Sequence, residues 1–201
     1  MDLIIACADI GSVAGGKFAW ADNAKADGCL PSTLAVHVAE LLLSGKGVAL
    51  GFECPLFVPL PDKERLLGKG REGDGNRAWS AGAGCAVLTT GLVQVTWVLR
   101  AIRDHVDDSC PAFLRWGDFA EAGSGLFLWE AFVSGESKGA DHVSDARIAV
   151  NAFDERLHAL EQPNAIRCET EVYSLVGAAL LRSGWSSDPG LLSEPCLIVR
   201  A

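Results

Sequence analysis

The sequence predicts an α/β fold in which a mixed sheet carries helices on both faces. Three observations predict it. Two apolar runs, LIIACAD at 3–9 and VALGFE at 48–53, lack the polar alternation of a half-exposed strand, and such runs belong to strands covered on both sides. Between them Leu34, Val38, Leu41 and Leu42 recur at helical spacing. A long apolar stretch at 85–106 is charged only near its end, at Arg100, Arg103 and Asp104. Strand, hairpin, helix and strand in that order point to a mixed sheet with helical covers.

In chain order, Gly11, Gly15 and Gly16 turn the first strand into a returning strand at 17–22, giving a hairpin. Residues 22–28 read as loop, with room for a third short strand before Pro31. Ser32 is placed to cap the first helix, which Gly45 and Gly47 end. Residues 55–84 have no periodic apolar pattern, and six glycines fall between Gly68 and Gly84. This is the signature of a long surface loop, an insertion around 61–84. The 85–106 stretch is interrupted by Thr89, Thr90, Gly91, Gln94 and Thr96. It reads as a buried helix lying across a sheet face rather than as a membrane span. AFLRW and LFLWEAFV within 112–133 read as two further strands. Residues 141–160 and 171–182 read as helices, and 196–199 as a short terminal strand. The whole is expected to be one domain over 1–201.

The chain has 201 residues and a formal charge of −9, unevenly spread. Residues 1–100 carry 9 Lys+Arg against 10 Asp+Glu, and residues 101–201 carry 8 against 16. A protein that grips long duplex nucleic acid by charge needs the opposite balance. Seven cysteines, an odd number with no CxxC pair, fit reduced buried thiols in the cytoplasm, not a disulfide frame or a zinc site. No GxSxG accompanies a Ser-His-Asp set. GKGREG at 68–73 follows no strand and opens no helix, so it is not a dinucleotide site.

Two strand ends deliver a carboxylate into a tight turn: Asp9, and Glu53 ahead of Cys54-Pro55. A carboxylate ending a buried strand needs a positive partner. Adjacent strand ends of this kind make a hard-oxygen metal site. Glu130, between Trp129 and Ala131, is a third acid on a strand, and Asp141 or Asp145 at a helix start is a fourth. Carboxylates from several elements converging on two Mg²⁺ or Mn²⁺ ions hydrolyse phosphodiesters. Asp141 and Asp145 are equally placed to cap a helix, and His142 borders them. Lys63, Arg65, Lys69, Arg71 and Arg77 could fold over an anionic substrate, or be balanced by the loop's own acids.

With these residues in place the chain resembles a ribonuclease-H-like domain. More narrowly it is similar to a family of unknown function whose members are predicted RNase-H-like nucleases. The resemblance rests on Asp9 ending the first hairpin strand and on Phe52-Glu53-Cys54-Pro55 ending the fourth strand. It also rests on Gly73-Asp74-Gly75-Asn76-Arg77, on Glu130 in the fifth strand and on Ser144-Asp145-Ala146. It implies a mixed five-stranded sheet and a Mg²⁺- or Mn²⁺-dependent nuclease or phosphodiesterase. The ligands would be Asp9, Glu53, Glu130 and Asp145, and Arg77 and Arg71 would contact the phosphate of a nucleic acid or small phosphate ester. Glu53 stands where the family usually has Asp, and no proline closely follows Glu130. YSLVGAALLRSGW at 173–185 matches the family's terminal helix in apolar pattern, with Ser174 where an acid is expected. If that helix is the counterpart, Glu169 or Glu171 replaces Asp145. A non-catalytic relative that binds or regulates is the alternative reading. Asp9-Ile10-Gly11-Ser12 also resembles the first phosphate loop of actin-like and sugar-kinase ATPases, but those need a second such domain.

Overall fold

The structure, a computed structural model, describes residues 2–75, 77–133, 137–160, 168 and 170–201. In chain order the elements are β1 (Leu3–Asp9), β2 (Ala19–Asp22), β3 (Asp27–Gly28), α1 (Pro31–Leu43), β4 (Gly47–Glu53) and β5 (Phe57–Leu60). They continue with α2 (Gly82–Arg103), β6 (Ala112–Phe113), α3 (Trp116–Ala122), β7 (Gly125–Phe132), α4 (His142–Glu155), β8 (Glu171–Ser174), α5 (Leu175–Arg182) and β9 (Leu197–Arg200). The main sheet runs β3-β2-β1-β4-β7-β6, with β9 also on β7. β2 is antiparallel to β1 and β3. β1, β4, β7, β6 and β9 are parallel.

The fold is thus α/β with a mixed sheet, of seven strands rather than the expected five. β7 is eight residues long and has room on its outer edge for two short partners in tandem. β6 pairs with Leu126 and Phe127, and β9 with Trp129 to Phe132. Helices cover both faces. On one face α1, α2 and α5 contribute Leu34, Val38, Val98, Leu99 and Leu180 to a core that includes Phe52 and Leu128. On the other, α3 and α4 contribute Phe119, Val150 and Phe153 to a core around Phe127 and Trp129.

Several local expectations are corrected. Pro31 opens α1 at a position where its missing N–H costs nothing, and Ser32 does not cap it. The segment after 55 is not a free surface loop, because β5 pairs with β8 and both Arg71 and Asp74 are buried. α2 packs on α1 and α5 more than across the sheet. Only Gly84, Gly91, Val95, Val98, Leu99 and Ile102 of this helix are buried. Among the described residues it is the one helix long and apolar enough to cross a membrane, by length and composition, and Leu92, Val93 and Trp97 stay exposed on it. AFLRW keeps only two strand residues before α3 begins at Trp116. Residues 171–174, expected as helix, alternate exposed and buried and form β8.

Candidate metal centre

β1 and β4 run side by side in register to their last residues, so Asp9 and Glu53 are direct neighbours at the C-terminal edge of the sheet. In parallel α/β sheets this is the edge that gathers ligands. Both side chains point to the α4 face, the face of Cys7 and Ala49. Two further groups arrive from the start of α4. Asp141 is its N-cap, accepting from Ser144 N–H at 2.7 Å, which holds its own carboxyl below the usual range. The first turn then presents His142 and Asp145 three residues apart on one side. His142 Nδ1 hydrogen-bonds with Asp9 Oδ2 at 2.5 Å, the ring N–H donating when Asp9 is ionised. One ligand atom from each of Asp9, His142 and Asp145 lies within 4.8 Å of the others.

The cations come from two loops. Lys138 Nζ donates to Asp145 Oδ2 at 2.9 Å and stands 3.5 Å from Glu53 Oε1. Gly139 N–H donates to Asp145 Oδ1 at 2.6 Å. Arg77 Nη1 lies 3.6 Å from Glu53 Oε1 and donates to the Val133 carbonyl at 3.1 Å. Glu53 Oε2 has no partner among the described residues, although the side chain is only 9% exposed. Glu53 also lines a small cleft of about 30 Å³ with Cys54, Arg77, Val87, Glu130 and Val133.

Burial, then the negative charge of Asp9, pushes the Glu53 carboxyl up to about 8 against the pull of Lys138. Burial also raises Asp9, opposed by His142 and Lys138. For Lys138, burial works against the charge, but the hydrogen bond to Asp145 and the field of Glu53 prevail and hold its pKa above the ordinary range. Below about pH 8 Glu53 therefore holds a proton, hydrogen-bonded toward Asp9, and a divalent cation entering the site would displace it.

The other acids expected here lie elsewhere. Glu130 is in register with Phe52, not Glu53. That one-residue step turns its side chain to the opposite face. There Arg71 grips it in a bidentate pair, at 2.6 and 2.8 Å, and Leu56 N–H donates to Oε2 at 2.9 Å. Arg71 also donates to Asp74 Oδ1 at 3.1 Å and to the Phe57 carbonyl at 3.2 Å, and its guanidinium lies 4.9 Å from the Phe57 ring centre. Fully buried and fully engaged, Arg71 has no group left for a phosphate. Arg77 is the cation of that loop that reaches the candidate site. Glu171 is exposed at the start of β8, and Glu169 lies outside the described residues. Ser174 caps α5, accepting from Gly177 N–H at 3.1 Å. Cys54 is buried, and burial pushes its thiol well up, as it does for Cys7 and Cys196.

Two members of the site, Lys138 and His142, carried little sequence signal. His142 could have been found from its i, i+3 relation to Asp145 at a capped helix start. Lys138 sits in a short polar connection with no periodicity to place it. The chain matches no known protein family, no curated protein and no solved structure.

Proposed function

We propose that the chain is a metal-dependent hydrolase of phosphate esters, of the ribonuclease-H-like type, with Asp9, Glu53 and Asp145 as its metal-holding acids. One observation carries the reading: Asp9, His142 and Asp145 gather ligand atoms within 4.8 Å of one another, beside Glu53, whose buried Oε2 has no partner among the described residues. Such an oxygen costs on the order of 1–3 kcal/mol or more unless something binds it. The order β3-β2-β1-β4-β7, with an antiparallel hairpin and the first acid beside the second, supports the family resemblance. The three carboxylates suit Mg²⁺ or Mn²⁺.

When bound, such an ion supplies a Lewis acid and lowers the pKa of its water. The protein's own part is electrostatic. Arg77, 30% exposed beside Glu53, would meet a phosphate oxygen. His142, 45% exposed and oriented by Asp9, would hold or pass a proton at its free nitrogen. The charge of −9 favours a small phosphate ester or a short single strand over long duplex.

A melting curve under Mn²⁺ titration tests this. Saturating Mn²⁺ is expected to raise the Tm of wild type by about 5–10 °C, and Asp9→Asn to abolish the rise. A calorimetric titration with Mn²⁺ counts the ions. No rise in Tm, with no hydrolysis of phosphate monoesters, diesters or single-stranded nucleic acid, overturns the proposal. A second reading, a non-catalytic binding protein, is favoured by the commitment of Glu130 to Arg71, which takes one acid from the set. Mn²⁺ binding without turnover on that panel would select it.

A further inference from the structure

Lys138 is bound to two of the acids that a metal ion would need. Its ammonium touches Asp145 Oδ2 at 2.9 Å and spans to Glu53 Oε1 at 3.5 Å. These are oxygens of two of the three acids that would hold the ion. A metal bound to Asp145 at about 2.1 Å would leave a second positive charge within a few ångströms. At that range like charges repel by several kcal/mol even near a protein surface. The two cations compete for the same carboxylates.

The attachment of Lys138 suits it to leave. It lies in the connection just before α4, and its side chain is 36% exposed on a flexible four-carbon stem. Asp145 does not depend on it for position, because Gly139 N–H holds the other oxygen at 2.6 Å. In the opposite cluster Arg71 is 1% exposed and bound by acceptors on every side.

Resting on the metal-site reading, we infer that Lys138 is an internal counter-ion that keeps the metal-free site folded and competes with the divalent cation for Glu53 and Asp145. Metal entry expels the ammonium toward solvent. The freed ammonium then stands at the rim of the site with Arg77, where a phosphate would meet both. Metal affinity in this protein is held down by one of its own side chains.

Calorimetric titration with Mn²⁺ alone, on wild type, Lys138→Met and Lys138→Arg, tests the inference. Lys138→Met is expected to bind Mn²⁺ at least tenfold more tightly than wild type, and Lys138→Arg, which keeps the charge, to stay within about threefold of it. In the absence of metal, Lys138→Met should melt below wild type, and under saturating Mn²⁺ the order should reverse. Lys138→Gln, which keeps a donor for Asp145, serves if the methionine variant folds poorly, with the same tightening expected. Equal or weaker binding by the uncharged variants overturns the inference and leaves the metal site standing. No Mn²⁺ binding by any variant, wild type included, overturns the metal site and the inference with it.

Discussion

The two faces of the sheet carry two clusters built from the same parts, and they end in opposite states. On the α1–α2–α5 side, Glu130, Asp74 and Arg71 form a closed knot. Both oxygens of Glu130 have donors, and none of the three side chains is more than 1% exposed. On the α4 side, Asp9, Glu53 and Asp145 outnumber the cations that touch them. Those cations, Lys138 and Arg77, are about one-third exposed, and among the described residues one carboxylate oxygen, Glu53 Oε2, is left without a partner. A buried charge is tolerated when its hydrogen bonds are complete. Where completion is withheld, the deficit is the binding capacity.

The largest expected effect comes from breaking the closed knot. Arg71→Met should destabilise the protein by about 3–5 kcal/mol, because it strands Glu130 and Asp74 without their counter-charge. Urea denaturation measures it, and a loss under 1 kcal/mol would mean that the two clusters do not differ as described. Second comes Glu53→Gln. The Glu53 pKa is raised in the folded state from an ordinary 4.5 to about 8. The folded protein therefore holds a proton that the unfolded chain gives up between these values, and Glu53 makes the fold lose stability as pH rises through that window. Glutamine removes the loss. The variant should melt higher than wild type at pH 8.5, by several degrees, with the gap shrinking toward pH 5. A gap that grows on acidification would refute the assignment. Smallest is Asp141→Ala, which removes the α4 cap and should cost about 1 kcal/mol. It should weaken Mn²⁺ binding through the placement of His142 and Asp145 while leaving the Arg71 knot untouched.

Much of the sheet was legible because β1, β4 and β7 are apolar from end to end, and Asp9 and Glu53 were legible as acids that close such strands. Glu130 shows where that reasoning stops. It obeys the same local pattern as Glu53, yet side chains alternate faces along a strand, and the register between β4 and β7 decides which face it takes. Nothing in either strand alone specifies that register. Arg71 and Asp74 were hidden for a related reason: Arg71 is held by Glu130, 59 residues further along the chain. The helix expected over 171–182 lost its first turn to β8, since Val172 and Ser174 are buried alternately with Glu171 and Tyr173 against β5. A tertiary partner overrode the local pattern there.

Beneath Glu53, two residues earlier on the same strand, lies Gly51. A methyl group there would clash with the indole of Trp129, and that indole in turn lies tilted against Phe153 of α4, ring centres 4.7 Å apart. Trp129, resting on bare backbone, is thus one of the rings that space α4 from the sheet, with Phe127. The helix that brings His142 and Asp145 is levelled by an aromatic spacer, so the spacing of the acids can be altered by a purely apolar change that touches no charge.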